Sequence, residues 1–461
     1  MNRDTQVFLY KMEDDSIHNA LKELFLLSGY DKENAHTSLW NPLSTFIKSG
    51  QTVLIKPNMV LECSRKEGED YYSVVTHPVL INAIVEYVCK ALEGKGKIII
   101  GDAPVNNADF EKLCYNMRLK ELQETYRQKG VDVELVDFRL YSMSKDENGI
   151  IVNKTSIDNV SDYVEVKVDS ASELNDIASN YENFRITEYS GKVMQAKHNL
   201  KQHRYCFHKS ILEADVIVSI PKIKTHRKAG YTCAMKNWVG LNGNKDWLPH
   251  HTKFSHQEGG DEYLYPSIRK RLISKSWDIR WAVDNLTLQK CCLLFERCIR
   301  LTMKFKSFPD FYSEGSWWGN HTLPRTVNDL NKAVLYSDKS GNLQLKKQRT
   351  LFYVVDGIIC GEGEGPMMAT SKRCDMLLCG TNAYAIDLTV LKLMGFDSKK
   401  IGVTNVCESI KTYPIADFLA SDVYIKTNLC SVDLNLATIR HYLKYSFIPS
   451  SGWKDHIELS E

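Results

Sequence analysis

The chain has 461 residues, enough for two or three domains around a large core, and 43% hydrophobic and 25% charged residues, as in ordinary soluble globular proteins. Its formal net charge of +2 speaks against a nucleic-acid binder with a long basic stripe, and it provides no global attraction to a membrane. Thirteen cysteines without a Cys-x-x-Cys pair predict reduced, mostly buried thiols in a cytoplasmic protein, with no iron–sulfur cluster or cysteine-ligated zinc.

Met1-Asn2-Arg3-Asp4-Thr5 lacks the apolar core of a signal peptide, and no apolar run approaches the ~18 residues of a membrane span. A strand is expected at Val7–Tyr10, a helix from Ser16 to Leu27, and a second strand at Thr52–Ile55 closed by Lys56-Pro57-Asn58. Thr76-His77-Pro78 opens a helix whose apolar Leu80, Ile81, Ile84, Val85, Val88 and Leu92 follow the helical period. Thr76 is the expected N-cap, with Pro78 in the first turn. Lys97–Ile100 reads as the next strand, leaving through Gly101-Asp102-Ala103-Pro104. Strand, helix and strand with short links predict a right-handed parallel unit. A helical stretch at 109–127 and a strand from Val131 to Val136 complete an N-terminal α/β lobe over residues 1–140.

Residues 141–207 are polar, with alternating patches such as Tyr163-Val164-Glu165-Val166, and read as a partly antiparallel insertion. A second α/β lobe is expected over 208–461, interrupted by a helical, Trp-rich insertion at 262–345. In this second lobe Ala214–Ile220 reads as a buried strand. Leu351–Val355 reads as a strand ending at Asp356-Gly357. A Gly-rich loop, Gly361-Glu362-Gly363-Glu364-Gly365-Pro366, follows it. Met376–Cys379 reads as a strand and Ala383–Met394 as a helix. Beyond residue 400 no chemical motif stands out. The fold class is α/β, two lobes with largely parallel sheets and a cleft at the strand carboxyl ends, where ligands of such sheets bind.

The densest chemistry lies in Pro221–Gly240, which reads as a polar loop with Gly directly after the Ala214–Ile220 strand. Lys222, Lys224, Arg227, Lys228 and Lys236 place five cations beside His226 within 15 residues. Packing alone does not explain such a cluster, and local rather than global positive charge predicts a small anionic ligand.

Six separated motifs occur in order: Lys56-Pro57-Asn58, Thr76-His77-Pro78, Gly101-Asp102-Ala103-Pro104, Pro221–Gly240, Asp356-Gly357-Ile358 and Ala385-Ile386-Asp387. Together they resemble the uncharacterised DUF362 family over roughly residues 50–400. Many members of that family carry an appended ferredoxin-like cysteine cluster, which this chain lacks. A second, local resemblance joins His226-x-x-Ala229-Gly230-Tyr231-Thr232-x-x-x-Lys236 to a motif of the nickel-pincer lactate racemase family. In that family the His is an acid/base and the Lys holds the pincer nucleotide covalently. Cys233-Ala234-Met235 replaces Gly-Gly-Arg of that motif, so the resemblance extends only to His226 and Lys236.

His226 is a candidate general acid/base, kept neutral by its cationic neighbours, against a reading as a solvated loop histidine. Lys236, beside Met235 and Trp238, is a candidate for charge stabilisation or for anchoring a cofactor, against a plain surface lysine. Lys56, Lys222 and Lys224 are expected to hold the anion, with Asn58, His77 and Asn237 as further substrate contacts; turn chemistry and helix capping compete for Asn58 and His77. Asp102 and Asp356 are expected to orient groups from the facing side of the cleft, against roles in turns. The glutamates of the Gly-rich run exclude a phosphate loop. His250-His251 and His256 read as a polar surface loop rather than a metal site.

The expected function is an enzyme moving a proton on a small anionic metabolite, a hydroxy or carboxylic acid, in an isomerase- or racemase-like reaction. The alternative is a non-catalytic carrier of a nucleotide or cofactor. The sequence leaves the cofactor open, a nickel-pincer nucleotide and a divalent metal included. It also leaves the oligomeric state open.

Overall fold

The structure, a computed structural model, describes residues 2–146, 150–186, 191–283, 285–304 and 313–460. Eleven strands build one mixed sheet. In chain order they are β1 Gln6–Lys11, β2 Thr52–Pro57, β3 Lys97–Asp102, β4 Val133–Asp137, β5 Val216–Ile220, β6 Lys222–His226, β7 Gly230–Thr232, β8 Thr350–Glu364, β9 Met368–Gly380, β10 Tyr424–Thr427 and β11 Leu434–Asn435. The spatial order is β11-β10-β1-β9-β8-β5-β2-β3-β4, and β6 pairs off this path with β8 and β7.

The run β8-β5-β2-β3-β4 is parallel throughout. Its strands are apolar on both faces, as a covered parallel sheet requires. Val53 and Ile55 face one core and Leu54 the other. Helices Ile17–Ser28, Pro78–Leu92 and Leu119–Gln128 cover the first face. Helices Thr322–Tyr336, Ala383–Met394 and Gly402–Ser409 cover the second. Strands from 1–140 and from 208–461 thus meet in one sheet, with β5 hydrogen-bonded beside β2.

The chain runs from β2 outward to β3 and β4, then returns to place β5 on the other side of β2. The order therefore reverses between β2 and β5, and a reversal of this kind opens a crevice at the strand carboxyl ends. The polar stretch between β4 and β5 contains three antiparallel pairs among the described residues, Tyr141–Lys145 with Ile151–Ser156, and Gln202–His208 with both Tyr163–Lys167 and His198–Asn199.

Three local expectations are corrected. The cap of Pro78–Leu92 is His77, whose Nδ1 accepts from Val79 N at 3.3 Å. Thr76 is committed elsewhere: its hydroxyl donates to Ile220 O and accepts from Asn58 N, both at 2.8 Å. The polar segment after β5 is not a loop, because Lys222–His226 is a strand pairing with β8. The Gly-rich run is not a loop either: β8 continues to Glu364 and pairs antiparallel with β9. A Cβ at Gly361 would fall 2.7 Å from Ser73 O and 2.8 Å from the Ala369 Cβ, so close packing inside the sheet demands that glycine.

Candidate functional site

Parallel strands end together, and their last residues bring the chemistry into one place. Lys56 on β2 lies beside Ser219 on β5, and Asp356 on β8 lies beside Lys222 on β6. Period two puts Lys222, Lys224 and His226 on one face of β6. All three are buried, as is Lys236 on the short helix Ala234–Asn237.

Two of the lysines are neutralised. Lys56 Nζ lies 2.8 Å from Asp102 Oδ1, and Lys222 Nζ lies 2.8 Å from Asp356 Oδ2. Each aspartate is held by backbone amides as well. Asp102 accepts from Met59 N at 2.6 Å and Ala103 N at 2.8 Å; Asp356 accepts from His77 N at 2.7 Å and Ile358 N at 3.1 Å. Both carboxylates are thereby spent on the fold's own cations and amides. Despite its partner, Lys56 stays below the usual lysine pKa, because burial outweighs the pull of Asp102.

The asparagines link these groups. Asn237 accepts from Lys56 Nζ at 3.2 Å and donates to Lys56 O at 3.1 Å and to Ser219 Oγ at 3.0 Å. Asn58 Oδ1 accepts from Lys224 Nζ at 2.8 Å, and the same ammonium donates to Val74 O at 2.5 Å. Burial and the charges of Lys236 and Lys222 push the Lys224 pKa well down.

Lys236 differs from its neighbours: among the described residues its Nζ has neither a hydrogen-bond partner nor a carboxylate. Burial, then the charges of Lys245, Lys228 and Lys56, lower its pKa to about 7. Asp387 holds the helix that carries it. Its carboxylate accepts from Ala234 N at 2.7 Å, Met235 N at 3.0 Å and the Tyr231 hydroxyl at 2.6 Å. On the other side Asn331 donates to Met235 O at 3.0 Å.

His226 Nδ1 accepts from Lys228 N at 3.0 Å and Ala229 N at 3.2 Å. An imidazole accepting at Nδ1 carries its proton on Nε2. Burial, then the charges of Lys236, His250, Lys224 and Lys228, hold its pKa well below the usual histidine value. His77 is half-buried, its ring centroid 4.5 Å from that of Tyr72 and tilted by 45°, with its Nδ1 spent on the helix cap. The structure thus places Lys56, Asn58, Asp102, Lys222, Lys224, His226, Lys236, Asn237 and Asp356 at one end of the sheet, with His77 at its margin.

Several participants lie outside that set. Lys245 is buried, donates to Ala103 O at 2.9 Å and Asn242 O at 3.1 Å, and has its pKa lowered to about 7, chiefly by burial. His250 is half-buried; its Nδ1 bonds Leu248 O at 2.8 Å, and burial and nearby lysines keep it neutral. Gly240 backs onto the Lys56–Asp102 pair, where a Cβ would fall 1.9 Å from Asp102 Oδ1. The reading of His250-His251 as a surface loop is corrected as well: His251 is fully buried in a short strand beside Arg185, whereas His256 is exposed. Available sequence signals were the alternation Lys222-x-Lys224-x-His226 and the position of Asp387 in its motif. No signal marks Lys245 before the fold is known.

Among the described residues no three His, Cys, Asp or Glu side chains come together to hold a metal ion. A cavity of about 630 Å³ opens elsewhere, beside β4, lined by Asp109, Glu111, Glu134 and Arg139 among others. It has the wrong charge for an anion and does not include the lysine cluster.

Residues 53–160 and 148–392 match the family described as "Domain of unknown function (DUF362)". No curated protein matches the chain. Among solved structures, a Thermotoga maritima protein from a structural-genomics consortium is similar at 9% identity and a TM-score of 0.32, covering 79% of this chain and 55% of that one. The chain therefore spans little more than half of that protein, and a likeness at this score carries nothing across.

Proposed function

The chain belongs to the DUF362 family, a domain of unknown function, and we propose that its lysine cluster binds a small anionic metabolite, a hydroxy or carboxylic acid, and moves a proton on it. One observation carries this reading: Lys236 is buried, its ammonium has no hydrogen-bond or carboxylate partner among the described residues, and the charges that shift its pKa there are cationic. A buried ammonium is costly unless an anion compensates it. An anionic ligand supplies the missing charge, and binding raises the Lys236 pKa and takes up a proton near neutral pH.

Lys236 and Lys224 are the cations that meet the ligand, with Lys56 and Lys222 adding a field weakened by their aspartates. His226 presents a neutral Nε2–H, fit to donate a hydrogen bond to an oxygen of the ligand as negative charge develops there, and Lys236, with a pKa of about 7, is the group fit to give or take the proton. Asn58 and Asn237 fix the directions of the lysine side chains. Asp102 and Asp356 hold Lys56 and Lys222 in place.

The test is a thermal-shift panel of small carboxylates, hydroxy acids and inorganic phosphate on wild type and Lys236→Ala. Wild type is stabilised by at least one class of anion and the variant much less. Equal shifts for both proteins place the ligand elsewhere. Turnover of the stabilising anion separates an enzyme from a carrier, which binds without converting. Mass spectrometry of protein from its native source reads any covalent adduct on Lys236.

A further inference from the structure

Away from the sheet ends, the helices Ile268–Ala282 and Leu286–Lys304 form a hairpin. Their seam is polar. Ser276 Oγ donates to Glu296 Oε1 at 3.1 Å, Trp277 Nε1 to Glu296 Oε2 at 3.0 Å, and Arg269 to Thr302 O at 3.2 Å. The first helix is tied to the body by Arg185, which donates to Ser274 Oγ at 2.6 Å and pairs with Asp278.

The outer face of the second helix is apolar and bare. Leu288, Cys291, Leu294, Phe295, Cys298 and Leu301 are all exposed, Leu294 at 63% and Leu301 at 56%. At about 100° per residue they share one arc of roughly 140°. Lys290 and Arg297 lie on the adjoining arc, both exposed and without an ion pair among the described residues. The first helix adds exposed Ile268, Leu272 and Ile279, interleaved with exposed Lys275. The two described carboxylates of the hairpin are engaged: Glu296 is buried in the seam, and Asp278 binds Arg185 and Lys253.

A contiguous apolar stripe bordered by cations without an ion pair, and with no free carboxylate among the described residues, matches an anionic lipid surface in both hydrophobicity and charge. It does not match a second copy of itself, since two such faces would bring like charges together. No described helix is long and apolar enough to cross a membrane, so the hairpin would lie along the surface with its stripe among the headgroups. We infer that this hairpin docks the protein on membranes that carry anionic lipid.

Sedimentation of the full chain with vesicles tests the inference. Wild type pellets with phosphatidylcholine–phosphatidylserine vesicles roughly tenfold more than with phosphatidylcholine alone, and high salt removes the difference. Lys290→Glu combined with Arg297→Glu abolishes the preference, and Leu294→Ser combined with Phe295→Ser abolishes pelleting. All four residues are exposed, so an unchanged melting temperature in lipid-free buffer is expected of both variants. Wild type that ignores anionic vesicles, or variants that bind like wild type, overturns the inference. So does a lipid-independent dimer that Leu294→Ser dissolves, because the stripe then belongs to a second copy.

Discussion

Lys56 Nζ sits 2.8 Å from Asp102 Oδ1 with both side chains buried, and the backbone of Gly240 closes over the pair. Removing one partner of such a pair strands the other charge. Asp102→Ala is expected to destabilise the fold by about 3–5 kcal/mol, read by urea unfolding, whereas Lys56→Met combined with Asp102→Leu recovers much of the loss. A double variant as unstable as Asp102→Ala would show that the carboxylate's bonds to Met59 N and Ala103 N, rather than the ion pair, set the cost. Gly240→Ala forces a Cβ to 2.7 Å from Lys56 Nζ and is expected to cost about 1–3 kcal/mol.

Lys236 makes stability depend on pH in a defined direction. Its folded pKa of about 7 lies below the unfolded value of 10.5, so the unfolded state holds more protons between those limits. The cost of burying the ammonium is complete below pH 7 and fades as pH rises toward 10.5. Lys236→Met is therefore expected to stabilise the ligand-free protein at pH 6, with a gain that shrinks by about 1 kcal/mol per pH unit above neutrality. Comparing the two proteins by urea unfolding from pH 6 to 9 cancels the titration of other groups. A gain independent of pH contradicts the depressed pKa.

Asp387 holds the short helix that carries Lys236 through Ala234 N, Met235 N and the Tyr231 hydroxyl. Asp387→Asn keeps the volume but turns an acceptor of three bonds into a mixed donor and acceptor. Anion-induced stabilisation is expected to fall severalfold while the secondary structure, read by circular dichroism, persists. Asp387→Glu, which keeps the charge, is expected to restore part of the shift, an outcome that simple loss of packing does not give.

His226 is expected to remain the neutral Nε2–H tautomer at pH 6, where a free histidine is largely charged. Nitrogen-15 NMR of histidine-labelled protein reads this directly, and a protonated ring at that pH refutes the assignment. If its Nε2–H stabilises negative charge developing on the ligand, His226→Asn lowers the rate by about 10²–10³ while leaving anion-induced stabilisation nearly intact.

The central parallel strands and their helices are legible because runs such as Val53-Leu54-Ile55 and Ile98-Ile99-Ile100 are apolar on both faces. The concentration of lysines after residue 220 is legible for the same local reason. Pairing is not: nothing in the chain states that Asp102 neutralises Lys56, or that Lys245 approaches from beyond Gly240. The strand Lys222–His226 is masked by its polarity and stands because β8 extends past Asp356 on one side and β7 folds back antiparallel on the other to pair with it. The glycines of β8 suggest a loop because their true cause, the Ser73 and Ala369 atoms packed against Gly361, lies on other segments.

The position of β1 constrains how the chain reaches this structure. It is hydrogen-bonded on one side to β9 and on the other to β10, so both its neighbours are made hundreds of residues later on the ribosome. Val7, Phe8 and Leu9 therefore wait unpaired through most of synthesis, an interval in which a nascent strand invites aggregation or chaperone capture. Closure of that edge is a late, high-contact-order event. A chain cut between Gly380 and Tyr424 would leave β1 as an open edge, able to pair with another molecule.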